Sequence, residues 1–255
     1  MAILFLRRLS GRKRTTEANQ LLGLVLSFVA GATNAGGFLA VRRYTSHMTG
    51  VVSSMADDLA MGNVTLALSG LGAIISFLSG AASSAILINW ARRQHLHSEY
   101  ALSLLLEAAL LLCFGLLGAN LSLRMGLFVP VTVMLLCYIM GLQNAIITKI
   151  SKSEIRTTHV TGLVTDLGIE LGKLVYWNME HDHAAQPKVM ANRDRLKLLI
   201  ALLSMFFVGG VVGALGFKHI GFASTVPLSA LLLALAIIPV MDDVVVRWRR
   251  FRKHA

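Results

Sequence analysis

The chain has few of the residues that soluble, secreted or disordered proteins rely on. Only 15% of its 255 residues are charged, against about 25% in an average soluble domain. That excludes an ordinary soluble fold and a disordered one. Cysteine occurs twice, as Cys113 and Cys137, too seldom for a disulfide framework or a metal motif. Both lie in apolar runs and read as buried, inert thiols. Four prolines leave no room for a proline-rich linker. Acids are scarce: Asp and Glu total 13 against 24 Lys and Arg, a formal charge of +11. On a soluble protein that excess would point to nucleic acid. On a membrane protein it marks the cytoplasmic side.

What the chain does have is apolar length. It is 55% hydrophobic, with a mean hydropathy of +0.68. A helix crossing the hydrocarbon core needs about 20 apolar residues. Six runs qualify, 21–41, 64–90, 100–120, 125–148, 198–217 and 220–241, and Glu107 alone interrupts the third. Runs this long without period-two alternation are helices. Arg7, Arg8, Arg12, Lys13 and Arg14 imitate the head of a signal peptide. The apolar run after them exceeds the usual 7–15 residues or so, so it reads as a retained first span.

Two weaker segments, 45–61 and 157–177, read as short amphipathic or re-entrant helices. Met48, Val51, Val52, Met55 and Leu59 mark the apolar face of one; Val160, Leu163, Val164, Leu167 and Leu171 mark that of the other. The segments are copies: Thr45-Ser46-His47-Met48-Thr49-Gly50 aligns with Thr157-Thr158-His159-Val160-Thr161-Gly162, and Asn34 upstream matches Asn144. The expected architecture is therefore an all-α membrane protein of about six transmembrane helices plus two short ones. Its single membrane domain spans 20–245 in repeat halves of about 20–125 and 126–245. Basic cytoplasmic ends cover 1–19 and 246–255. If the short helices do not cross, only Arg42, Arg43, Arg124 and Lys218 lie outside and the other 20 basic residues inside. If both cross, Arg92, Arg93, Lys149, Lys152 and Arg156 join an outside set that still holds Arg42, Arg43 and Lys218, leaving 16 inside. The positive-inside rule favours the first arrangement, an inverted repeat in the inner membrane with both termini cytoplasmic. Eight spans remain the alternative.

These residues resemble the YoaK family of bacterial integral membrane proteins, a domain of unknown function. The resemblance rests on Ala30-Gly31-Ala32-Thr33-Asn34-Ala35, Ser46-His47-Met48-Thr49-Gly50, Gly141-Leu142-Gln143-Asn144-Ala145 and Thr157-Thr158-His159-Val160-Thr161-Gly162. It covers about 20–240 and implies a membrane location and fold, with no established substrate. Family members often carry Asp where this chain has Asn34, and Asn where it has Val51.

Each short helix opens with Ser or Thr, a titratable His and a Gly, where unpaired N–H groups carry partial positive charge. Thr45, Ser46, Thr157 and Thr158 are candidate caps. The expected substrate-binding set is Asn34, His47, Thr49, Gly50, Asn144, His159, Thr161, Gly162 and Asp166. In an inverted repeat the two helix starts would converge on one site. Glu107, a carboxylate at membrane depth, is the proton-coupling candidate; its alternative is an ion pair with Arg92 or Arg93. Asp58 and Glu170 read as solvated helix ends. Glu180-His181-Asp182-His183 reads as a solvated loop rather than a metal cluster. With no P-loop, nucleophile elbow or zincin motif, an enzyme is not expected, and neither is any cofactor or metal. The expected partners are the lipid bilayer and a small solute, with no nucleic acid; a homo-oligomer remains open. The functional expectation is a small secondary transporter or channel. A non-transport scaffold, sensor or complex subunit is the alternative, and an enzyme using His47 or His159 ranks third.

Overall fold

The computed structural model describes residues 15–41, 44–96, 98–119, 125–151, 159–176 and 189–254. Residues 1–14 of the expected N-terminal arm, the basic pair at 42–43, the candidate caps Thr157 and Thr158, and the acidic-histidine loop at 180–183 lie outside them.

Among the described residues the fold is entirely helical. In chain order the helices are α1 (Thr16–Val41), α2 (Met48–Ala60), α3 (Val64–Arg93), α4 (Ala101–Ala119), α5 (Met125–Ile150), α6 (Val160–Val175), α7 (Arg193–Ile220) and α8 (Thr225–His254). Five stretches are long and apolar enough to cross a membrane. The last, Arg193–Ile237, is 45 residues long. It is broken at Gly221, whose φ of 63° suits the one residue without a Cβ. A 3-10 turn, Gly221–Ser224, then leads into α8. Phe114, Phe217 and Phe222 pack around this break with ring centroids 5.7–6.0 Å apart, locking α4, α7 and the turn together.

Two helix pairs approach closely through one recurring device, an aromatic residue followed three positions later by glycine. In α1 and α7 these are Phe28 with Gly31 and Phe206 with Gly209. A Cβ on Gly31 would strike the Phe206 carbonyl, and one on Gly209 would strike the Phe28 carbonyl. In α3 and α5 they are Phe77 with Gly80 and Tyr138 with Gly141, and here too each glycine lies on the partner aromatic's carbonyl. Small residues let backbones meet where lipid gives helices no hydrophobic reason to associate.

The contacts also fix helix directions. Along the first pair Phe28 meets Gly209, Ala32 meets Gly213 and Gly36 meets Phe217, so α1 and α7 run parallel. Gly72 meets Met134, and Lys149 Nζ donates to Asn89 Oδ1 at 3.0 Å, so α3 and α5 run parallel too. By contrast α1 and α5 are antiparallel: Gln143 Nε2 donates to the Leu26 carbonyl at 3.1 Å, while Gly37 lies on Leu136. Helices α4 and α8 are antiparallel as well. Ser98 N–H donates to Asp243 Oδ2 at 2.8 Å, Ser229 Oγ donates to the Ala108 carbonyl at 3.0 Å, and Gly115 meets Thr225.

Several expectations are corrected here. Cys113 is exposed, because it lies on an outer face of α4; Cys137 is buried as expected. Helices α2 and α6 begin three residues later than the segments read from sequence, at Met48 and Val160. Among the described residues neither has a side-chain cap, and Thr157 and Thr158 lie outside them. Ser46 Oγ instead donates to Asn34 Oδ1 at 2.9 Å, tying the connection back to α1. Glu170 is no solvated helix end. It is 2% exposed and accepts from Lys173 Nζ at 2.9 Å and Asn192 N–H at 2.8 Å.

Candidate functional site

The site is set by how α2 and α6 begin. Chain leaving α1 turns back through residues 44–47, where Tyr44 stacks on Phe38 with centroids 4.5 Å apart. Helix formation starts at Met48, and the first amide bonded within the helix is Val51 N–H, to the His47 carbonyl. In α6 the corresponding bond runs from Leu163 N–H to the His159 carbonyl. The N–H groups of Met48, Thr49, Gly50, Val160, Thr161 and Gly162 therefore find no acceptor among the described residues. Such uncapped turns must be satisfied by water or by a ligand.

Both starts open on one cavity of about 410 Å³. Its wall brings together Asn34 of α1 and His47, Met48 and Thr49 at the start of α2 with His159, Val160, Thr161 and Gly162 at the start of α6; Tyr44, Ser46, Phe77 and Phe206 complete it. No described acidic residue lines it. The amide nitrogen of Asn34 is not engaged by Ser46, which uses the oxygen. A second cavity of about 310 Å³ adjoins it, sharing Tyr44 and His47. Gly50 lines that one, and its lack of a Cβ leaves room for the His47 ring. The second cavity is mostly apolar, with Leu66, Ala73, Val133 and Cys137 in its wall. Thr45 also lines it; this residue is 2% exposed and its hydroxyl has no partner among the described residues.

Three of the expected site residues lie elsewhere. Asn144 is absent from both walls and donates through Nδ2 to the Met140 carbonyl at 2.8 Å. Asp166 pairs with Arg195 at 3.1 Å on a half-exposed face. Glu107 is fully buried in α4, and neither oxygen has a hydrogen-bond partner among the described residues. Arg92 does not reach it. That guanidinium binds Glu99 at 3.1 Å and stands over the Tyr100 ring, 5.6 Å from its centre. Further along α6, the Lys173 ammonium and the Asn192 N–H hold the Glu170 carboxyl below the usual carboxylate range.

Tyr44, Phe77 and Phe206 are the wall residues that the sequence reading did not single out. A signal existed for the two phenylalanines: each begins an aromatic-x-x-Gly step, Phe77 to Gly80 and Phe206 to Gly209.

A helical bundle with apolar spans and a shared polar pocket at two helix starts is a polytopic membrane protein. Within that class, the chain belongs to the family described as protein of unknown function DUF1275, which matches residues 22–238. No curated protein and no solved structure matches it.

Proposed function

We propose that this protein is a small secondary transporter or channel for a small solute, and that it is not an enzyme. The observation that carries the reading is the single cavity lined by both helix starts. Discontinuous helix ends meeting inside a membrane bundle are where secondary transporters hold their substrates. Asn34, His47, Thr49, His159, Thr161 and Gly162 form the substrate contacts; Gly50 and Asn144 support them from behind. Asp166 acts through its ion pair with Arg195. Glu107 is the proton-coupling group, because an unpartnered carboxylate at membrane depth is costly and is kept for a use.

The reading includes six spans in two inverted halves, pairing α1 with α5 and α4 with α8. The antiparallel course of both pairs supports it, since a non-inverted repeat would make equivalent helices run the same way. The repeated glycine seams, α1 on α7 and α5 on α3, support it as well. The protein then lies in the inner membrane with both termini cytoplasmic, and position 63 faces the other side. Cysteine placed at 63 reacts with an impermeant thiol reagent added outside; reaction only from inside refutes this topology.

The functional test is solute uptake into vesicles carrying the purified protein under an imposed pH gradient. The expected outcome is uptake that His47→Ala lowers by about tenfold or more. No solute taken up above protein-free vesicles, across a broad panel, sinks the transport reading and favours a scaffold or sensor.

A further inference from the structure

We propose that the solute is a small organic monocarboxylate with a compact apolar body; this rests on the transport reading above. Two independent features point to it. The first is the donor-rich, acid-free wall around the two helix starts. The residues lining one cavity bring to it five backbone N–H groups without acceptors among the described residues (Met48, Thr49, Val160, Thr161 and Gly162), the Asn34 amide, the Thr49 and Thr161 hydroxyls and two imidazoles. Helix N-termini favour anions, and no carboxylate in the described wall offsets them. The second is Thr45, a buried hydroxyl without a partner, lining the adjoining cavity beside His47. A buried donor left unpaired is unfavourable unless something binds there.

The rest of the wall limits the ligand further. Phe77 and Phe206 face the donors in the first cavity, and Leu66 and Val133 line the second. An inorganic anion would leave those surfaces uncovered, and a polyanion would meet apolar wall. One charge on an apolar body matches both. The described titratable groups lining the cavity are Tyr44, His47 and His159, and no carboxylate is among them.

Equilibrium binding of labelled benzoate to the full-length protein in nanodiscs tests this. The expected result is saturable binding. Benzyl alcohol, benzylamine and chloride should each compete about tenfold or more less effectively. His47→Gln together with His159→Gln should weaken binding about tenfold. Thr45→Val separates a binding role from a structural one: it should raise the melting temperature of the empty protein while lowering benzoate affinity. No saturable benzoate binding to folded protein, or equal competition by benzylamine or chloride, overturns the proposal. Benzoate bound but never carried into vesicles sinks the transport reading and leaves this one standing. Gradient-driven uptake of a cation without benzoate binding does the reverse.

Discussion

The two short helices share a plan and differ in how they are held. Helix α2 turns into α3 within residues 61–63, through Gly62 at a φ of 77°. Helix α6 is separated from α7 by residues 176–192. The short turn fixes α2 on its own. Its acid Asp58, aligned with Glu170, has no partner among the described residues. A connection of 17 residues constrains the helix before it less than one of three. Side chains hold α6 instead: Glu170 takes the Asn192 N–H and Lys173, and Asp166 takes Arg195. The lesson is that both helix starts face one cavity although only one of them is latched there by charge.

The largest effect expected falls on the two glycine seams. Gly31→Val and Gly141→Val each drive a Cβ into a partner carbonyl and should destabilise the fold by about 3 kcal/mol or more. Equal losses, read as the yield of monodisperse protein, would support equivalence of the two seams; a tolerated member would break it.

Next comes the latch. Glu170→Gln should lower the melting temperature by several degrees, while Asp58→Asn should leave it unchanged. The pH dependence follows from the sign of the shift. The folded carboxyl of Glu170 lies below its unfolded value, so its contribution is present above that unfolded value and is lost as pH falls through the lowered one. Glu170→Gln should remove that acid-side loss in a stability profile; an unchanged profile would dismiss the latch.

A smaller effect separates the helices at their outer faces. Gly168 and Gly172 in α6 have nothing within 4 Å of an added Cβ. Alanine at either should stabilise by about 0.5–1 kcal/mol. The smallest effect belongs to Arg195→Ala, about 0–1 kcal/mol, because its ion pair with Asp166 is half exposed.

Much of this was legible in the sequence, for physical reasons. Apolar length marked the spans, and the repeated His-x-Thr-Gly marked two equivalent helix starts. The partners across the seams were not legible. Gly31 and Phe206 lie 175 positions apart, and nothing local says that a carbonyl will occupy the space a Cβ would take. Reading Ser46 as a cap failed because Asn34 offered an acceptor from another helix. Reading Glu170 as solvated failed because its partner, the Asn192 amide, sits 22 residues later, beyond any local pattern. Exposure of Cys113 was hidden in a run apolar on every face.

The central claim is that both helix starts serve one site, and Thr49 and Thr161 both stand in the wall of that cavity. Cysteine introduced at each in turn, on a background with Cys113 and Cys137 replaced, measures this directly through the rate of thiol labelling with and without benzoate. Protection of both positions with the same dependence on benzoate concentration is the predicted result. Protection of one position alone, or of the two at clearly different concentrations, would contradict it.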